Sequence, residues 1–513
     1  MEQTKGQFEK WWRAGDAGVL LAYSALVVWT IQYHEKWADE AQAWLIARDL
    51  NLSTIWFHEL RYEGSPGLWH TILWVAQRVF HAKYDALGYI GAAFAIAGAA
   101  VLIFWAPFPR VVRWPLAFTY VMIYQYAVIA RPYTLLPLLA FCAALLFKDL
   151  EHPGRLTVVL VLLALLTFHG TILAGCLGLA YLVEAYRHRD ELQPKVKQRY
   201  VFSTITMAVT FIFIAGILKP TTDVEEMALK KEMAQAPLSI ARSFPTFWQK
   251  MIAVTTGAFI DWVIPSLLLL LLFTAWCIWR KKWLAFVLPV GTLILFYCLV
   301  HGAAHHHGTV FVAAITGVWI AWPSSSEQAF LGKTGRFAVL SGSGLLLLLC
   351  FFNIWDAGVV IKHEYLYPYS GAPDAVRYLR SVDAEHSPMF GFLFGTVAVQ
   401  AYFDQNVFAN NPHAYFHHGL PLSTTVLNED ELNRIKPEFI VAYTQDPQLM
   451  LQVGGKELTS RGYDLVHFSD GYYLYKQGVF EREVYLIYRR TERAAEVPAP
   501  EYGESAKLNA GQQ

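Results

Sequence analysis

The chain has 513 residues, of which 55% are hydrophobic and 16% charged, against about 25% charged in an average soluble domain. That composition excludes an ordinary soluble enzyme and describes a membrane protein. Lysine plus arginine and aspartate plus glutamate number 41 each, which leaves no basic surplus for a nucleic-acid partner.

The five cysteines, Cys142, Cys176, Cys277, Cys298 and Cys350, lie inside apolar runs without a CxxC pair. They read as small core hydrophobes, not as a disulfide framework or a thiolate metal site. The first apolar run, "AGVLLAYSALVVWTIQY" (17–33), has no small-residue cleavage site after it and reads as a retained anchor. Further runs of spanning character follow near 66–81, 86–106, 112–130, 132–148, 155–168, 170–186, 201–218, 256–280, 283–301, 308–323 and 336–356. A span takes about 20 mostly apolar residues, so these runs predict an α-helical polytopic membrane protein of about 11–13 transmembrane helices.

Basic connectors such as "FPRVVRW", "YRHRDELQPKVKQRY" and "WRKKW" face the cytoplasm by the positive-inside rule. From residue 148 onward the alternation is self-consistent: it puts "FHG" (168–170), the loop from Lys219 to about Met251, "HGAAHHHG" (301–308) and everything after 357 outside. Upstream of residue 130 the count breaks, and at least one run is a half-span or re-entrant piece, with 66–81 the first suspect.

After residue 357 the composition turns soluble. "GAPDAVRYLRS" and "VAVQAYFDQ" read as helices, "PMFGFLFG" and "EFIVAYT" as buried strands, and "YDLVHFSDGYYLYKQG" as two strands around a Ser-Asp-Gly turn. The domains expected are a membrane domain over 1–356 with its first outer loop at 34–66, an extracytoplasmic α/β domain over 357–492, and a polar, disordered tail over 493–513.

The topology brings "ADEAQAW" (38–44), "RYEGSPGLW" (61–69), "ARPYTLL" (130–136), "FHG" and "HHHG" to one face. Ionisable residues at a membrane boundary are costly and mark function by default. Structural duties compete for each. Asp39 followed by Gln42 also matches a capping box, which leaves Glu40 beside it without a capping duty. Glu63 also suits a solvated turn, Arg131 before Pro132 also suits a snorkelling side chain, and His169 beside Gly170 also suits an interfacial histidine.

Taken in order, "ADEAQAW", "RYEGSPGLWHTILW", "ARPYTLLPLLAF", "FHG" and "HHG" resemble the GT-C superfamily of polytopic glycosyltransferases, in the branch of bacterial aminoarabinose transferases and protein O-mannosyltransferases. The resemblance covers roughly residues 17–330, and the Asp-Glu pair is its most specific element. It implies a transferase that moves a sugar from a polyprenyl-phosphate donor, with inversion, to a glycan, lipid or protein acceptor outside the cytoplasm. Outer-facing chemistry without an obvious organelle retention signal makes a bacterial inner membrane the expected location.

By the same resemblance Asp39 is the general base, with Glu40 as its catalytic neighbour. The departing lipid phosphate needs a cation aimed at its growing charge, and Arg131, with Tyr133 and Arg61, or a metal, is expected to supply it. Glu63, with His169 and then His306, is the implied ligand set for a divalent metal (Mg, Mn or Zn). Where relatives often carry His-Pro-Pro or Lys-Pro-Pro, this chain reads Ser65-Pro66-Gly67, which removes a basic contact and weakens the metal reading. The alternative is a transporter or flippase for a lipid-linked substrate. It calls for midplane charges and inverted repeats, whereas the sequence has no internal repeat and its carboxylates sit in loops.

Overall fold

The computed structural model describes residues 2–219, 240–300, 303–417, 429–451, 455–478 and 480–491. Most of the 219–251 loop, the start of "HGAAHHHG" and the expected tail 493–513 lie outside the described residues. The chain divides into two compact units. One joins Met1–His34, Leu50–Leu366 and Leu474–Val479; the other joins Glu35–Asp49, Tyr367–Tyr473 and Phe480–Gln513.

The first unit is helical and membrane-spanning. Among the described residues five helices are long and apolar enough to cross a bilayer: Arg13–Ile31, Tyr84–Trp105, Phe168–Arg187, Pro194–Ile217 and Lys333–Leu366. Two bent pairs, Thr246–Ala258 with Val263–Trp279 (76°) and Ala304–Ala321 with Ser325–Leu331 (58°), bring the number to seven if each is one span. This is fewer than the roughly 11–13 spans expected from apolar runs. The difference lies in helix length, since Pro132–Leu146, Pro153–Ala164 and Leu284–Leu299 are apolar but short.

The broken count upstream of residue 130 has a similar origin. The run 66–81 folds as an 11-residue helix, Leu68–Arg78, about 16 Å long at 1.5 Å per residue and short of the roughly 30 Å hydrocarbon core. The run 112–130 is not one helix either. Pro115 sits inside the short helix Arg110–Ala117, a π-turn follows at Val121–Gln125, and Pro132 holds Arg131 extended at φ −119°, ψ 170°, as a residue before proline must be. Irregular backbone of this kind persists at membrane depth only inside protein or beside a cavity.

Every residue of Gly308–Ala321 is buried, which makes it the central helix of the unit. It packs against Leu284–Leu299 and Leu136–Leu146. At Gly317 the approach is so close that a Cβ would lie 2.7 Å from Phe286 Cα, the small-residue contact by which membrane helices meet. The histidine loop therefore hangs from the most enclosed element of the unit.

The second unit is built on a four-stranded mixed sheet: β1 (Met389–Phe392), β2 (Phe439–Thr444), β3 (Tyr463–Leu474) and β4 (Phe480–Arg490), in the order β1-β2-β4-β3. β1 and β2 are parallel, β2 and β4 antiparallel, with Tyr443 opposite Tyr485. Side chains alternate along a strand, so Ile440, Ala442, Val484, Leu486 and Tyr488 join Phe390, Phe392, Leu432 and Tyr463 in one core. Tyr443, Glu483 and Tyr485 fall on the opposite face.

The Ser-Asp-Gly turn expected in "YDLVHFSDGYYLYKQG" is not a turn. Tyr463–Leu474 is one strand, and Gly471 serves another purpose. A Cβ there would lie 2.6 Å from Gly371 N, Ser370 Cα and Tyr369 O, while Tyr472 N–H donates to Pro368 O at 2.8 Å. The glycine lets a second stretch of backbone cross the strand. β4, "FEREVYLIYRR", has no counterpart in the sequence expectations; its centre, Glu483–Tyr488, is wholly buried.

Candidate active site

Residues 35–49, expected as an outer loop of the membrane domain, fold with the second unit. Ala38–Asp49 is a helix buried from Glu40 through Ala47. Its first turn shows what each acidic side chain does. Glu40, fully buried, accepts the Trp37 N–H at 3.3 Å and so closes the helix start in the manner of a capping box, with Trp37 as the cap. Gln42 has a different duty: its amide donates to Phe416 O at 2.7 Å and accepts from Phe416 N–H at 2.9 Å. The Gln42 amide is thus spent on Phe416 and not on the Asp39 N–H, as the capping box considered from sequence would have it. Asp39 stands one residue away, half-buried, at the positive end of the helix dipole.

Several ties fix this helix within its unit. Glu35 accepts the Tyr369 N–H at 2.7 Å, Arg48 donates to Phe403 O at 2.6 Å, and the Trp37 ring lies 5.4 Å from that of Tyr473. The helix packs on Thr396–Gln400, which in turn packs on β2. That stacking points it at the sheet face bearing Tyr443, Glu483 and Tyr485. Burial pushes the Glu483 carboxyl up to about 7, with the negative charge of Asp39 adding to the rise and hydrogen bonds from Ser370, Tyr485 and the Gly371 N–H opposing it. Tyr443 and Tyr485 are held above the ordinary phenol range, first by burial and then by the charge of Glu483. Sequence reasoning missed this carboxylate. The signal was a lone glutamate in the apolar stretch "REVYLIY".

The membrane unit gathers a second group of expected residues. Tyr133 Oη lies 3.0 Å from His169 Nδ1, the Arg131 guanidinium sits 5.6 Å from the Tyr133 ring centre, and Tyr126 stacks on Tyr133 at 5.3 Å. His306 joins them, 4.7 Å from the His169 ring. Its Nδ1 accepts the Ala303 N–H at 3.2 Å, and its ring stacks on Tyr297. Thr167 caps the helix Phe168–Arg187 by accepting the Gly170 N–H at 2.8 Å, which sets His169 in the first turn, where the helix dipole favours anions. Tyr126 and Tyr297 were not foreseen; both are aromatic residues in runs that read as span.

Arg61 and Glu63 are placed differently. They end the short helix Leu60–Glu63, which Gly64 terminates in the left-handed conformation at φ 60°. Arg61 donates to Phe57 O at 2.5 Å within its own turn. The chain after Glu63 then runs beside the segment that opens the His169 helix, with Leu68 N–H donating to Leu165 O at 3.0 Å.

A metal ligand set must bring its donor atoms close together. Among the described residues the only His/Cys/Asp/Glu group whose ligand atoms all lie within 4.8 Å is the exposed Asp383, Glu385 and His386. Glu63, His169 and His306 do not form a second such group among the described residues, and no step below is routed through a metal.

No family model and no curated protein sequence matches the chain. A solved structure does: the crystal structure of ArnT from Cupriavidus metallidurans in the apo state, at 13% sequence identity and a TM-score of 0.50, covering 95% of this chain and 100% of that one. At that identity the likeness is one of fold. The resemblance read from the ordered motifs is therefore met in three dimensions: the chain is a polytopic helical membrane protein with a small C-terminal mixed sheet and has the fold of ArnT.

Proposed function

We propose that the protein is a membrane glycosyltransferase that moves a sugar from a polyprenyl-phosphate donor to a hydroxyl acceptor on the extracytoplasmic face of a bacterial inner membrane, with inversion. The observation that carries this reading is the fold likeness over nearly the whole chain, joined to a half-buried Asp39 held at the start of a helix that the C-terminal unit fixes in place.

In the reaction the acceptor oxygen forms a bond to the anomeric carbon on the side opposite the phosphate. Its proton passes to Asp39, and the bond from the anomeric carbon to the phosphate oxygen breaks with its electron pair on the departing lipid phosphate. One carboxylate suffices, because the phosphate leaves without a proton. Glu40, occupied with the Trp37 N–H, holds the turn that presents Asp39. Arg131, with Tyr133 and His169 beside it, is assigned to the donor phosphate, whose developing charge is best stabilised by a cation fixed in a water-poor site.

The test is turnover of labelled polyprenyl-phosphate sugars by detergent-purified protein, wild type beside Asp39→Asn. The variant is expected to lose about 100- to 10,000-fold in kcat with donor binding intact. Undiminished turnover in the variant would remove Asp39 as base. Movement of a labelled carrier across liposomes with no sugar transferred would replace the transferase by a flippase.

A further inference from the structure

We propose that the helical unit binds an anionic phospholipid at the end of the helix Phe168–Arg187 opposite to His169, with the phosphate in a basic cavity around Lys148, Arg280 and Lys282 and an acyl chain in an adjoining apolar groove. The inference does not depend on the reaction proposed above.

The cavity measures about 240 Å³ and is lined by three cations, Lys148, Arg280 and Lys282, against two carboxylates, Glu184 and Glu327, together with His188. Both carboxylates already have partners. Lys282 Nζ donates to Glu184 Oε1. Arg280 donates to Glu327 at 3.3 Å and to Ala321 O at 3.2 Å, and Glu327 also accepts the Ser324 N–H at 2.7 Å. Lys148 donates to Trp322 O at 2.8 Å and forms no ion pair among the described residues. An ammonium has three donors and a carbonyl takes one, so Lys148 gives the cavity a surplus positive charge with donors to spare.

A second hollow of about 240 Å³ runs between the helices Pro153–Ala164, Phe168–Arg187 and Pro194–Ile217. Its walls are apolar, with Leu160, Leu182, Met207 and Phe211 among them. Gly178 keeps it open: a Cβ there would only come into ordinary contact, 3.6 Å from Leu160 Cδ1, so a longer side chain would fill the hollow itself. Groove and cavity are neighbours. Ala174, Gly178 and Tyr181 of the groove and His188 of the cavity recur at helical spacing along one face of Phe168–Arg187 and its cap. Tyr181 Oη donates to Asp149 O at 2.7 Å and Tyr200 Oη to Leu150 O at 3.0 Å. Both tyrosines line the groove, while Leu150 and Lys148 line the cavity.

Location argues for the occupant. The basic connectors "FKDLEHPGRL", "YRHRDELQPKVKQRY" and "WRKKW" contribute Lys148, His188 and Lys282, and connectors of that charge lie against the leaflet rich in anionic lipid. Glu184 follows His169 by 15 residues on one helix, about 22 Å at 1.5 Å per residue, so the cavity is not part of the Arg131 cluster. A free phosphate would use the cavity and leave the groove empty, whereas a phospholipid fills both. A zwitterionic headgroup carries a cation of its own, which the surplus charge of Lys148 disfavours.

The experiment is native mass spectrometry of the detergent-purified full chain titrated with phosphatidylglycerol, phosphatidylcholine or glycerol phosphate, in wild type, Lys148→Gln and Gly178→Leu. Wild type is expected to bind phosphatidylglycerol roughly 5-fold more tightly than phosphatidylcholine, and Lys148→Gln to erase that preference. Gly178→Leu should weaken both lipids roughly 10-fold, the loss of about two buried methylenes, and leave their ratio intact. Equal affinity of wild type for the two lipids overturns the proposal, as does a preference that survives Lys148→Gln. Undiminished lipid binding in Gly178→Leu removes the groove, and glycerol phosphate that displaces phosphatidylglycerol at equal concentration makes the cavity a site for a free phosphate ester; either result overturns the lipid. Should Gly178→Leu fail to fold, Lys148→Gln decides, because that side chain is exposed and its loss strands no buried charge.

Discussion

Arg131 and its neighbours show how much a single side chain can disclose. The dipeptide Arg131-Pro132 carries its own backbone instruction, and the structure obeys it with an extended arginine before a short 3-10 turn. That turn brings Tyr133 to His169. If this cluster holds the donor phosphate, Arg131→Ala should lower kcat by about 100- to 1,000-fold, the cost of losing one group aimed at developing charge. Tyr133→Phe should do less, because it frees His169 Nδ1 without removing the cation. Stopped-flow donor binding beside steady-state turnover separates the two, and an Arg131→Ala enzyme with unaltered kcat would return the arginine to a snorkelling role. These residues were legible because each stands next to a proline or a glycine that fixes the local backbone. Glu483 was not. Its surroundings, Tyr485, Tyr443 and Gly395, come from three separated stretches of the chain, and no local pattern links them.

At the level of elements, the helix Ala38–Asp49 illustrates a limit of the same kind. Its sequence announced an acidic first turn, and the structure has one. What the sequence could not show was the partner that fixes it, since Gln42 meets Phe416 across 374 positions. Replacing Gln42 by alanine deletes both bonds and leaves the Phe416 amide and carbonyl to find water. At about 1 kcal/mol per buried hydrogen bond, the C-terminal unit should lose roughly 1–3 kcal/mol. Turnover should fall while donor affinity holds, because the change loosens the Asp39 turn and leaves the Arg131 cluster untouched. Thermal unfolding and donor titration test the claim, and an intact melting temperature would refute it. The strand Tyr463–Leu474 teaches the converse lesson. There a glycine next to an aspartate read as a turn, when its real purpose is to admit the backbone of residues 368–371. A close approach and a turn ask for the same residue.

For the molecule as a whole, the division into two compact units does not follow the order of the sequence. Each unit takes in a segment from the other's stretch of sequence. The second unit holds residues 35–49. The first holds 474–479, where Lys476, fully enclosed, donates to Phe259 O at 2.7 Å and Asn353 Oδ1 at 3.1 Å and stands 3.6 Å from Asp356 and 3.8 Å from Asp261. Truncation at Leu366 would strip the Asp39 helix of its packing. It would also leave Asp261 and Asp356 beside an absent cation, and breaking a buried ion pair costs about 3–5 kcal/mol. The truncated chain is expected to lose all turnover and to melt at lower temperature; retained transfer with altered acceptor choice would refute that dependence. The membrane class and the helix-then-sheet order could be read from composition and apolar runs. The number of spans and the exchange of segments could not, because both depend on contacts between distant parts of the chain.

The Gln42–Phe416 pairing has a further consequence for how the protein comes into being. The ribosome makes the segment bearing Asp39 near the beginning and its partner hundreds of residues later. At about 5–20 residues per second, the 374 positions between them correspond to roughly 20–75 s of synthesis. During that interval the helix Ala38–Asp49 lacks the partner that Gln42 holds in the finished fold. If Asp39 is the base proposed above, a chain stalled or cleaved before Phe416 should show no turnover.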